Sequence, residues 1–184
     1  RLHECMALIG LGKVFNLRGR YEQVLGMAER GLALAQDLGI EVRARLLQMK
    51  AGAHFYLGQY RAAVRVLDEV RALLPSTADP DLILPILHNL AGAYAAQGRF
   101  HEASREFRAA LSQVRGTASP RAPLYLSNLA FHLAELGELP EARRAAEEGL
   151  LAAQRFSNRA LETSCHEALA QILAQGGDLD GALA

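Results

Sequence analysis

The chain has 184 residues, 20 basic and 20 acidic side chains for a formal net charge of zero, and 51% hydrophobic residues. This balance suits one soluble domain with a substantial core, and it excludes any global positive excess for displacing counterions from nucleic acid or holding an anionic membrane. Two cysteines, no CxxC pair, no signal-peptide pattern and no apolar run of membrane-spanning length point to a reduced, cytoplasmic protein.

Lys13 and Lys50 are the only lysines, and the wealth of arginine, alanine and leucine fits a GC-rich genome. The sequence opens on Arg1 and stops inside "DGALA", which leads to the expectation of a piece of a longer chain.

Along the chain, a turn glycine recurs as Gly19 in "LRGRY", Gly58 in "YLGQY", Gly98 in "AQGRF", Gly137 in "ELGEL" and Gly177 in "QGGDL", at intervals of 39, 40, 39 and 40 residues. Such a period is the mark of a repeat architecture. Seven residues before each glycine stand Gly12, Ala51, Ala91, Ala130 and Ala170, and five after it stand Val24, Ala63, Ala103, Ala142 and Ala182. Two after it come Tyr21, Tyr60, Phe100, Leu139 and Leu179, while twelve after it come Gly31, Val70, Ala110 and Gly149. Two antiparallel helices joined at the glycine account for this pattern. Small residues let the axes approach, the large residue past the turn fills the wedge, and glycine takes the left-handed, helix-ending conformation.

The units run roughly 3–40, 41–78, 79–118, 119–157 and 158–184. In the first, "LGLGKV" lacks the spacing of a phosphate-binding loop and lies inside the first predicted helix. In the third, Pro85 fits a helix that starts near Leu84, where a proline in the first turn does no harm. Pro75, Pro80, Pro120 and Pro123 fall between units. In the fourth, "EARRAAEEG" sets Arg143 four residues from Glu147 and Arg144 four from Glu148, as on a solvated helix face. The fifth is cut short, leaving Leu169, Ile172 and Leu173 partly uncovered. No stretch alternates with the period of a strand, so the predicted fold is all-α.

The chain resembles the tetratricopeptide repeat (TPR) family, most clearly in "LAGAYAAQGRFHEASREFRAAL" and nearly as well in "NLAFHLAELGELPEARRAAEEGL". Its units are longer than the usual 34 residues and look like those of bacterial MalT-like regulators and related signalling proteins. The resemblance implies a right-handed superhelical solenoid of about four and a half repeats, with the first helix of each pair lining the concave side. Each pair needs its neighbour to cover its apolar face.

Helical spacing then lists the concave stripe at thirteen, ten, nine, six, three and two residues before each glycine. The middle units supply Arg45, Gln48, Met49, Gly52, Phe55 and Tyr56; then Pro85, His88, Asn89, Gly92, Ala95 and Ala96; then Leu124, Ser127, Asn128, Phe131, Ala134 and Glu135. Asn89 and Asn128 hold equivalent places, where many members of the family grip a peptide backbone, because one amide both donates and accepts. The alternative is that each satisfies a neighbouring helix or meets water. Met49 and Gly10 at the matching places shorten this ladder. Phe55, Tyr56 and Phe131 are either an apolar anchor site or packing between neighbours. Arg45 and Lys50 are a poor carboxylate clamp, since Lys50 stands where the other units have Leu11, Leu90, Leu129 and Leu169 and its stem can cover core.

The histidines lack the pairing of a zinc motif, as "HEASR" and "HEALA" show. His54 and His166 fall on the stripe between helices, as hydrogen-bonded core residues, and His88 alone should face the groove, either against a partner or in solvent. Cys5 and Cys165 lie too many units apart for a disulfide, which needs Cα atoms within about 7 Å. Buried thiols are expected.

No catalytic constellation, metal site or cofactor motif is present in the sequence, so a non-enzymatic scaffold that binds a protein segment in its groove is the leading expectation. The alternative is the small-effector-sensing and oligomerising portion of a larger MalT-like transcriptional or signalling regulator. A third is a self-association module that forms a homodimer through its solenoid ends. The composition supports no direct contact of this segment with nucleic acid or membrane.

Overall fold

The period of small and large residues becomes helices of 14 to 17 residues in the computed structural model: α1 (Leu2–Leu17), α2 (Tyr21–Leu34), α3 (Ile40–Tyr56), α4 (Tyr60–Leu73), α5 (Pro80–Ala95), α6 (Phe100–Val114), α7 (Ala122–Glu135), α8 (Leu139–Arg155) and α9 (Arg159–Gln175). The structure describes residues 1–74, 80–114, 119–178 and 181–182, and these contain helix and no strand. Every predicted turn glycine has a positive φ, from 69° at Gly19 to 84° at Gly177. A side chain there would cost about 1–2 kcal/mol.

Two compact units emerge, Arg1–Gln97 and Gly98–Ala184. In the first, each helix packs on the next, and α3 packs on both α1 and α5. The helices α2 and α4 make no comparable contact with each other, so α1, α3 and α5 form the more crowded layer. Small residues explain that closeness. Ala51, Ala53 and Ala63 are buried, and a β-carbon on Gly12 would run into Met49. Cys5, Ile9, Ala35 and Leu46 form one core cluster, against which Met49 also packs.

The wedge residues do more than expected. Tyr60 meets Phe55 within its own hairpin at 5.4 Å, but Tyr21 stacks on Tyr56 of the following repeat at 4.8 Å and 11°. The stacking ties successive repeats together.

In the second unit α6, α7, α8 and α9 pack in sequence, and α7 also packs on α9. Gly149 of α8 is buried against Cys165 and Leu126, both 3.1 Å from where its β-carbon would lie. His132 is buried between the rings of Phe107 (5.4 Å, 14°) and Phe100 (5.7 Å, 24°). Its Nδ1 has no hydrogen-bond partner, and burial brings its pKa down to about 4. The imidazole is therefore a neutral ring in an aromatic stack.

Several expectations need correction. The helix α5 begins at Pro80, so Pro85 lies inside it. Proline is at home in the first helical position, and Pro80 starts the helix five residues earlier than Pro85 does. Pro123 likewise belongs to the first turn of α7, while Pro75 lies outside the described residues. His166 is exposed, and His54 bonds Gln59 across the turn at 2.7 Å. Ile172 is buried, whereas Leu169 and Leu173 are half-buried. Arg143 pairs with Glu147 at 2.8 Å, but Arg144 has no such bond to Glu148. Both thiols are free and buried, as expected, and Cys5 Sγ donates to the Gly31 carbonyl at 3.6 Å.

Candidate functional site

Six stripe positions meet at one place in the first unit. Gly52, Phe55 and Tyr56 of α3 and His88, Asn89 and Gly92 of α5 line a pocket of about 110 Å³. Its space exists because two side chains are missing. A β-carbon on Gly52 would meet nothing within 4 Å, and one on Gly92 would find only the Phe55 ring, at 3.6 Å. Helical spacing explains the convergence, since residues three and four apart share a face and α3 packs on α5.

Two rings form the apolar wall. Phe55 stands edge-on to Tyr56 at 5.5 Å, and Tyr56 remains 55% exposed although it stacks on Tyr21. Tyr21 has no place in the predicted stripe; its position two residues past a turn glycine is the signal that finds it. Polar groups come from α5. Asn89 is half-buried, and its amide makes no hydrogen bond among the described residues. Burial lowers the pKa of His88 below its ordinary value of 6.5, so the imidazole at the pocket wall is neutral at pH 7.

The remaining expected residues divide. Gln48 is occupied, because its Nε2 donates to the Leu82 carbonyl at 3.0 Å and ties α3 to α5. Met49 is half-buried over Gly12, and Arg45 is exposed outside the pocket. The structure does not bring Lys50 to Arg45: Lys50 Nζ lies 3.3 Å from Glu29 on α2. In the second unit, Asn128 of α7 is half-buried with no hydrogen bond among the described residues, and Phe131 is 41% exposed beside His132. Ser127 and Ala134, expected on the same face, are buried. The Ser127 hydroxyl donates to the Leu124 carbonyl at 3.1 Å.

Among the described residues, no group of three His, Cys, Asp or Glu side chains is placed to hold a metal, and no helix is long and apolar enough to cross a membrane. Paired helices with a small pocket on the crowded layer define a helical-repeat interaction module. The chain belongs to the family of MalT-like TPR regions, whose model matches residues 12–184.

Solved structures agree on the fold. Nearly identical TPR-like repeats of a putative kinesin light chain from Podosopora anserina align with TM-score 0.82 and 21% identity over 98% of this chain and 91% of that one. PlcR from Bacillus thuringiensis, in complex with the peptide PapR7 and DNA, aligns with TM-score 0.74 and 15% identity over 99% of this chain and 68% of that one. A signal transduction ATPase with a tetratricopeptide repeat sensor from Pyrococcus horikoshii gives TM-score 0.85 and 16% identity over 97% of this chain and 28% of that one. No curated protein matches the sequence.

Proposed function

We propose that the pocket between α3 and α5 binds an extended peptide, taking one apolar side chain while the Asn89 amide pairs with the peptide backbone. The observation that carries this is the half-buried, unpaired Asn89 amide at a pocket opened by two glycines. Volume decides against a whole small effector at this place. About 110 Å³ is well below the ~300–1,000 Å³ usual for small-molecule sites, yet enough for part of one side chain. The peptide complex of PlcR lends support to a peptide ligand on this fold. Asn128 and Phe131 offer an amide and a ring of the same kinds on α7.

The test is selection of peptides from a random library on the wild-type protein, followed by affinity measurements on variants. Gly52→Leu should fill the pocket, and Asn89→Ala should remove the amide. Each is expected to weaken the selected peptides by more than tenfold while helicity stays unchanged. Equal affinity for the wild type and both variants would remove the pocket from consideration.

A regulatory role, in which occupancy here biases assembly of a longer MalT-like chain, is favoured by the family match to residues 12–184. Self-association through an end of the repeat array is favoured by α1, where Leu2, Met6, Leu11, Val14 and Leu17 are each more than two-fifths exposed. Sedimentation equilibrium across a concentration series tests it, with an invariant monomer mass as the negative result. A reducing, cytoplasmic location suits the two free, buried thiols.

A further inference from the structure

On the side of α3 opposite the glycine pocket lies a larger cleft of about 370 Å³, lined by Leu32, Gln36, Arg43, Leu47, Lys50 and Glu69. The repeats serve as their own controls for what this cleft should contain. Fifteen residues before the turn glycine stands Glu4 in the first repeat and Arg43 in the second; eleven residues after it stand Arg30 and Glu69. In the first repeat these two places close on each other as the ion pair of Arg30 with Glu4. In the second the charges are exchanged and the pair is open. Neither Arg43 nor Glu69 makes a hydrogen bond or ion pair among the described residues, and both line the cleft.

Lys50 departs from the repeats in the same place. The other four carry Leu11, Leu90, Leu129 and Leu169 there, whereas Lys50 is a side chain 25% exposed whose ammonium group lies 3.3 Å from Glu29. An ammonium has three donors, so the contact with Glu29 leaves others for a ligand. The cleft therefore holds two positive groups and one uncompensated negative group over an apolar floor of Leu32 and Leu47.

We propose that this cleft binds a free α-amino acid with an aliphatic side chain. The ligand's carboxylate meets the planar guanidinium of Arg43, with Lys50 adding charge, its ammonium meets Glu69, and its side chain lies on Leu32 and Leu47. A lone anion would be repelled by Glu69 and a lone cation by Arg43, so only a ligand with both charges answers both open groups. The volume falls within the range of small-molecule sites, about 300–1,000 Å³, which the glycine pocket does not reach. The cleft shares no residue with the proposed peptide site.

Isothermal titration calorimetry with L-leucine tests the proposal, with 4-methylpentanoic acid and 3-methylbutylamine as probes that keep one charge each. Leucine should bind saturably, and each single-charge probe at least tenfold more weakly. Arg43→Gln should abolish binding of leucine and of the acid. Glu69→Gln should erase the advantage of leucine over the acid. Lys50→Leu restores the residue that the other repeats carry, and should weaken leucine at least tenfold with helicity and melting temperature preserved. The proposal is overturned by the absence of saturable heat from leucine up to about 10 mM, a weak-binding limit. Equal affinity for leucine and the single-charge probes, or undiminished binding in both Arg43→Gln and Glu69→Gln, would overturn it as well.

Discussion

Leu46 of α3 fills the space that a β-carbon on Gly31 of α2 would need. Leu46 is fully buried, so it cannot yield to solvent. Gly31→Ala should gain about 1 kcal/mol of helix propensity but lose more through overpacking, for a net destabilisation of roughly 1–2 kcal/mol. Gly26, exposed on the same helix with nothing within 4 Å of its β-carbon position, is the control. Gly26→Ala should stabilise by about 0.5–1 kcal/mol. Urea titrations of the two variants should show opposite shifts in midpoint.

Acid should weaken the second unit through His132. In the unfolded chain its imidazole takes a proton near pH 6.5, while in the folded chain burial delays this to about pH 4. Between those values the unfolded state binds more protons, so stability falls as the pH falls, by up to about 3 kcal/mol. His88 of the first unit shifts in the same direction and acts in the same sense there. His132→Phe keeps a ring between Phe100 and Phe107 and removes the unpartnered Nδ1. Thermal denaturation from pH 7 to pH 4 should show a markedly flatter profile for this variant, and an unchanged slope would refute the assignment.

Pro85 stands inside α5 and withholds the backbone N–H that would bond the carbonyl four residues earlier. Pro85→Ala should stabilise the protein by roughly 1–3 kcal/mol, less whatever freedom the unfolded chain regains. Chemical denaturation measures the gain. A loss of stability would mean that the fixed backbone of Pro85 outweighs the missing hydrogen bond.

The turn between α7 and α8 carries Gly137 at φ 75° with open space around its β-carbon position. Strain is thus the sole penalty for a side chain there. Gly137→Ala should cost about 1–2 kcal/mol, and Gly137→Asn less, because asparagine tolerates the left-handed region. Equal melting temperatures for the two variants would count against backbone strain as the cause.

Much of this was legible in the sequence because period and residue size are one-dimensional records of packing. The spacing of Gly19, Gly58, Gly98, Gly137 and Gly177 located each turn, and the stripe that includes Gly52, Phe55, His88, Asn89 and Gly92 did converge on one pocket. Spacing says which face a residue occupies and leaves open what the next helix brings to it. For that reason the burial of His132 between two rings and the pairing of Lys50 with Glu29 had no one-dimensional signature, and the place of Tyr21 two residues past its turn glycine did not say that it stacks on Tyr56. Pro85 was misplaced for a different reason. Pro80 and Pro85 both offered an acceptable first turn, and local rules favour whichever leaves the helix unbroken.

The left-handed turn glycines recur with small and large residues at matching offsets, which gives the coding sequence regularly spaced joints. A duplication or deletion that runs from one glycine to the next keeps the small and large positions at their offsets from the turns, whereas one of any other length shifts a large residue into a place where the other repeats carry a small one. Unequal crossing-over can therefore change the number of repeats in whole steps, and a chain altered in this way inherits a core already in register.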